Sequence, residues 1–133
     1  MKTLIQKIHV EEDQSFACRI YKTPYFETSW HKHEECELIV ISQGHGTALI
    51  GDFVGEYKVG DIFFLASQLP HWFRKHHPKS IGSATVIHFK KELWGSKFLL
   101  LPELKSINQL LNSKQNCIQL QRRLQKEVYL LIQ

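Results

Sequence analysis

At 133 residues, 43% hydrophobic and 23% charged, the chain has the size and composition of one globular domain with a single core, which excludes two domains of ordinary size and excludes a disordered chain. No apolar run reaches the length of a membrane span, and Met1 to Val10 lacks the apolar stretch and small-residue cleavage site of a secretory leader. The net charge of +4 permits contact with nucleic acid without requiring it, because the Lys and Arg residues are spread along the chain.

Taken in order, Thr3 to His9 reads as an edge strand. From Ser15 to Lys90 the pattern is β throughout, with strands expected near Phe16–Tyr21, Cys36–Ser42, Thr47–Gly51, Glu56–Val59, Asp61–Ala66 and Ala84–Phe89. Turn chemistry at Gly44-His45-Gly46, Gly51-Asp52, Gly60-Asp61 and His77-Pro78 separates them, and turns at such close intervals imply a sandwich or barrel of short antiparallel strands. The basic stretch Arg74-Lys75-His76-His77-Pro78-Lys79 reads as a solvated loop. Gly44-His45-Gly46 begins a glycine pattern that no helix follows, so it is a hairpin turn and not a phosphate cradle.

Past Lys91 the period changes. Leu104, Ile107, Leu110 and Leu111 recur at three- and four-residue steps, as do Leu120, Leu124, Val128 and Leu131, which predicts two amphipathic helices. Pro102-Glu103 opens the first, with proline in the first turn and glutamate at the positive end of the helix dipole. The first stripe is expected to pack on the strands. The second, running from about Ile118 and widened by Tyr129, Leu130 and Ile132, carries more apolar surface than one neighbour covers and predicts a homodimer contact. Because that stripe is still running at Gln133, the chain is expected to be part of something longer. Residues 1–92 are thus a β domain and 93–133 a helical extension. Cys18, Cys36 and Cys117 are odd in number and lack any Cys-x-x-Cys, which argues against a disulfide framework, predicts buried inert thiols and fits a cytoplasmic setting.

The chemistry concentrates in His31, His33, Glu37 and His71. Residues two apart on a strand share a face, so His31, His33 and Glu37 can converge, and His71 follows a short apolar strand and the Leu69-Pro70 turn. Three imidazoles and one carboxylate suit a divalent transition metal, Zn, Fe, Mn or Ni; the same set read without metal is a polar cluster lining a pocket. Glu35 shares parity with Glu37 and is either a ligand contact or an exposed carboxylate at the pocket mouth. Trp30 and Trp72 flank histidines of the set and either stack on a ligand ring or pack at the rim. His88, in the last strand with Val86 and Lys90 on its face, is expected as a core or surface histidine and not as a further ligand.

The order His-x-His-x3-Glu-x6-Gly, closing at Gly44, resembles the first motif of the cupin β-barrels. With Trp30-His31-Lys32-His33-Glu34-Glu35-Cys36-Glu37-Leu38, Gly44-x-Gly46, Ile50-Gly51-Asp52, Gly60-Asp61 and Leu69-Pro70-His71-Trp72, the stretch from Tyr25 to Phe89 is similar to the N-terminal sensing domain of AraC-type transcription regulators. That resemblance implies a mainly β fold, a cupin-like double-stranded β-barrel or jelly roll followed by two C-terminal α-helices. It also implies a small-molecule effector, such as a sugar, held in a pocket at His31, His33, Glu37, His71 and Trp72. Pairing through Leu120, Leu124, Val128 and Leu131 follows, as does DNA contact through a helix-turn-helix domain that these residues do not include. The sequence departs from the cupin pattern where Tyr25 takes the place of the leading glycine and where Ala66, Gln68 and Lys75 stand at the second motif's Pro, Gly and Asn positions. The alternative reading is a small metal-dependent cupin enzyme, a dioxygenase or isomerase, using the same four residues.

Overall fold

The computed structural model of the chain describes residues 3–11, 14–23, 29–77, 79–93, 97–112, 118–120 and 122–132. Its strands are β1 (Leu4–Ile5), β2 (Phe16–Lys22), β3 (His31–Lys32), β4 (Cys36–Gln43), β5 (Gly46–Ile50), β6 (Phe53–Tyr57), β7 (Ile62–Leu65), β8 (His71–Lys75), β9 (Ser83–Phe89) and β10 (Ile118–Gln119). The helices are α1 (Lys105–Leu111), entered through a 3-10 turn at Pro102–Leu104, and α2 (Arg122–Ile132).

Two five-stranded sheets result, in the orders β1-β3-β8-β5-β6 and β10-β7-β4-β9-β2. Together they form the expected jelly roll as two layers, and no hydrogen-bonded ladder among the described residues closes them into a continuous barrel. Alternation fills the space between the layers. Ile39 and Ile41 of β4, Phe63 and Leu65 of β7, Ala84 and Val86 of β9, Ala48 and Ile50 of β5 and Phe73 of β8 form one buried cluster with Tyr57 and Leu69. Phe63 meets Phe53 and Phe73, and Phe73 meets Tyr57, through ring contacts of 5.5 to 6.3 Å, so one end of the interior is dry and aromatic.

Several expectations shift. Arg74 and Lys75, read as solvated loop, belong to β8, because β8 pairs with β5 from Ile50↔His71 to Gly46↔Lys75; Arg74 stands on its outer face, and Lys75, at the strand's end, donates from Nζ to the Ser80 carbonyl at 3.2 Å. The strand read at Glu56–Val59 lies at Phe53–Tyr57, set by its hairpin partner β5 through Ile50↔Phe53. Ile118 and Gln119, read as helix, instead add an edge strand to β7, and the helix starts at Arg122. Of the segment Thr3 to His9, only Leu4–Ile5 is strand; it runs parallel to β3, and Gln6 N–H donates to the Lys32 carbonyl at 2.8 Å.

As expected, α1 packs on the sheet: Leu111 and Cys36 are buried together, with Leu104, Phe64 and Phe89 around them. Ile107 of the same stripe is 44% exposed. Cys36 is buried, and that burial pushes its thiol up to about 11, so it is inert at neutral pH. Cys18 departs from expectation: it lies on the exposed face of edge strand β2. Cys117 lies outside the described residues. No described helix is long and apolar enough to cross a membrane.

Candidate functional site

The opposite end of the interior is polar, and register puts it there. His31 of β3 lies directly across from His71 of β8 in one sheet, with ring centroids 4.2 Å apart. Glu37 of β4 lies directly across from His88 of β9 in the other, with His88 Nε2 2.8 Å from Glu37 Oε1. His33, in the connection from β3 to β4, sits between the two pairs, its ring centroid 5.0 Å from those of both His71 and His88. All five residues are buried, none more than 8% exposed.

Local backbone geometry fixes three of the rings. His31 Nδ1 donates to the Ser29 carbonyl at 2.7 Å, His33 Nδ1 to the Glu35 carbonyl at 2.9 Å and His71 Nδ1 to the Leu69 carbonyl at 2.8 Å. A carbonyl only accepts, so Nδ1 carries the proton in each case, and Nε2 of the neutral ring is a lone pair. This anchoring of one ring nitrogen is the support that metal-ligating histidines ordinarily have. Gln68 N–H donates to the His33 carbonyl at 2.8 Å, tying the turn before β8 to the same place. Gln68 adopts φ 63°, the left-handed conformation that glycine takes without cost, and it stands where the cupin pattern has Gly.

The cluster is rich in acceptors. Glu37 Oε1 is 3.6 Å from His33 Nε2 and Glu37 Oε2 is 3.5 Å from His71 Nε2, while His33 Nε2, His71 Nε2 and His88 Nδ1 are buried without a hydrogen-bond partner among the described residues. One ligand atom each from His31, His33 and His71 lie within 4.8 Å of one another, as do those from His33, Glu37 and His88. Burial would push the Glu37 carboxyl up, but His71, His33 and His88 facing it outweigh burial and hold it well below the ordinary carboxylate range. Burial pushes His71 down to about 4 against the pull of Glu37, and it lowers His31 as well. For His33 burial also acts downward, yet the adjacent Glu37 and the Glu35 carbonyl act upward more strongly, so its net shift is up. Glu37 accepts from His88, and its carboxylate and the Nε2 atoms of His33 and His71 face one another across a space that a proton or a cation can bridge. The residues present fit a divalent transition metal.

The structure therefore brings His31, His33, Glu37 and His71 together. Trp72 is placed elsewhere: the one-residue offset from His71 turns it to the outer face of β8, where Arg74 lies 5.6 Å from its ring centroid. Trp30 Nε1 donates to Thr3 Oγ1 at 2.8 Å, which ties it to the N-terminal segment. His88, set apart in the sequence reading, is the direct hydrogen-bond partner of Glu37. Glu35 is buried, with 6% exposure, and is not an exposed rim residue. The α2 stripe is described at Val128, which is half-buried, and at Leu131, which is 86% exposed; the Leu124 side chain lies outside the description.

No curated protein matches the chain in sequence. Among solved structures it is similar in fold to Vibrio cholerae ToxT, with a TM-score of 0.54 at 13% identity over 90% of this chain and 48% of ToxT. A cupin-2 domain protein from Rhodospirillum rubrum aligns at 0.51 and 11% identity over 80% of this chain and 77% of that one. A cupin 2 conserved barrel domain protein from Rhodopseudomonas palustris aligns at 0.50 and 16% identity, over 62% and 57%. The chain thus spans about half the length of ToxT and of the Rhodopseudomonas protein. In sequence, residues 14–93 match the AraC-like ligand binding domain. With that match covering more than half of its length, the chain belongs to the AraC-like ligand binding domain family.

Proposed function

We propose that this chain is the effector-sensing domain of an AraC-type transcription regulator, and that it holds a small polar metabolite beside a divalent transition metal at the His/Glu end of the jelly roll. The supporting observation is the meeting of His31, His33 and His71, each with Nδ1 tied to a backbone carbonyl, in one group of potential ligand atoms, and of His33 with Glu37 and His88 in a second. His31, His33, Glu37 and His71 would hold the ion, with His88 orienting Glu37 through its 2.8 Å hydrogen bond. The metal would supply a Lewis-acidic contact for an oxygen or nitrogen of the effector.

In this reading the output is a population shift. An effector that binds one arrangement of strands and helices more tightly than another biases a dimer formed through α2, whose Val128 and Leu131 belong to the proposed contact along with Leu120 and Leu124. DNA is then touched by a helix-turn-helix domain outside these residues, and the protein works in the cytoplasm without turnover. ToxT has been solved bound to (E)-4-(8-methylnaphthalen-1-yl)but-3-enoic acid. For this chain sugars and sugar acids are the first compounds to screen.

A thermal-shift screen of sugars, sugar acids and related metabolites, followed by mass analysis of each hit, tests the reading. The expected result is a compound that raises the melting temperature by mass action and is recovered intact. Metal-dependent conversion of a hit would replace the sensor with the enzyme reading, a dioxygenase or isomerase, which the same four-residue set also favours.

A further inference from the structure

Beyond the His/Glu cluster the same end of the fold contains a cavity of about 380 Å3, at the small end of the range for ligand pockets. It opens where the start of β4 and the end of β9 meet the N-terminal segment. Ile8, Val10 and Leu93 supply apolar wall, and Glu35, Lys90 and Glu92 supply charge. Glu35 and Lys90 come just past the Cys36↔Phe89 pair, before the start of β4 and after the end of β9, so the cavity begins two residue positions beyond Glu37↔His88.

Glu35 sets the chemistry of this cavity. Only 6% exposed, it uses its backbone carbonyl to hold His33, but its carboxylate accepts no hydrogen bond and makes no ion pair among the described residues. Its carboxylate oxygens are not among the fully buried unpartnered atoms, so what exposure the residue has is toward the cavity it lines, where a cation can pair with it. Lys90 lines the cavity without engaging it, and Glu92 adds a second negative charge.

We propose that this cavity binds the protonated amine of a small ligand, with the ammonium against the Glu35 carboxylate and the aliphatic part against Ile8, Val10 and Leu93. The assignment rests on the effector-binding reading and adds to it a second, neighbouring subsite that takes the amine of a ligand. A neutral or anionic molecule of the same shape leaves Glu35 unpaired, so selection is by charge.

The probes are n-butylamine, n-butanol and butyrate, titrated into the whole chain while the methyl NMR signals of Ile8, Val10 and Leu93 are followed. Butylamine is expected to shift these signals saturably and with an affinity at least about tenfold above that of butanol, while butyrate leaves them unmoved. Glu35→Gln, which removes the cavity-lining charge and keeps the side-chain shape, is expected to stay folded and to lose the butylamine preference. Lys90→Gln, which removes a competing cation, is expected to strengthen butylamine about two- to threefold, and it tests the assignment independently should Glu35→Gln fail to fold. Butanol or butyrate binding as well as butylamine would overturn the charge assignment and leave an effector pocket standing. Absence of shifts with all three, or an amine affinity indifferent to both substitutions, would overturn it too; the metabolite screen decides the effector-binding reading separately.

Discussion

Acid destabilisation of the metal-free protein tests the electrostatics of the polar end most directly. Burial holds His71 neutral down to about 4, whereas the same side chain in the unfolded chain takes up its proton near 6.5. As the pH falls the unfolded state binds that proton first, so the stability is full above 6.5 and is lost progressively toward 4. At about 1.4 kcal/mol per pH unit, His71 alone removes about 2.5 kcal/mol between about pH 7.5 and 4.5. That is a large share of the roughly 5 to 15 kcal/mol a domain ordinarily has. His31, lowered by its own burial, adds to the slope. His33, whose folded value is raised, opposes this loss only at the upper end of the window: its contribution is complete below 6.5 and is lost as the pH rises through the folded value. Glu37, held low, loses its contribution only as the pH falls below the ordinary carboxylate range. Urea unfolding in EDTA across this window, for the wild type and for His71→Gln, isolates the ring, and the variant is expected to show a slope smaller by about 2.5 kcal/mol over the same span. Parallel profiles for the two proteins would refute the assignment of His71 as a buried neutral imidazole.

Protein prepared without an affinity tag is expected to bind about one cobalt ion per chain, read from its visible absorption, and His33→Ala should abolish this because His33 belongs to both ligand groups; an unchanged spectrum would place the ion elsewhere. Gln68→Gly should raise stability by about 0.5 to 1 kcal/mol in urea by relieving the left-handed backbone at φ 63°, and a loss of stability would mean that the Gln68 side chain matters more than its backbone. Val128→Lys combined with Leu131→Lys should give a monomer in sedimentation velocity, since covering each such side chain is worth roughly 1.5 to 3 kcal/mol, and an unchanged sedimentation coefficient would put any pairing on another surface.

Much of the fold was legible because it rests on local chemistry. The continuous apolar run in Cys36–Gln43 and the alternation in Ser83–Phe89 mark strands, and the positive φ of Gly44, Gly51 and Gly60 sits at the turn positions that glycine signals. The pieces that escaped are those whose structure is supplied by a partner. The strand at His71–Lys75 carries charge along its second half and is made a strand by pairing with β5 over its full length. Ile118 and Gln119 continue a helical stripe in sequence, yet they lie against Phe64 and Phe63 of β7, whose open edge takes two more residues.

The site divides along the same line. His31, His33 and Glu37 are near neighbours in the chain, so parity and motif spacing suffice to unite them, and the Leu69-Pro70 turn delivers His71. His88 is far from Glu37 in sequence, and nothing about its own surroundings distinguishes a histidine on an apolar strand from an ordinary core residue. Its parity with Val86 and Ala84, both buried, was the available signal: it fixes the inward face once β9 is known to be covered. What periodicity does not encode is the partner. Slipping β9 by one residue against β4 would set Ile87 opposite Glu37 and turn His88 to the outer face, with the alternating pattern of the strand itself unchanged. The register is decided instead by the apolar pairs further along, Ile39↔Val86 and Ile41↔Ala84, which are buried only in the observed alignment. The hydrogen bond that orients Glu37 is therefore a consequence of packing at the opposite, aromatic end of the interior.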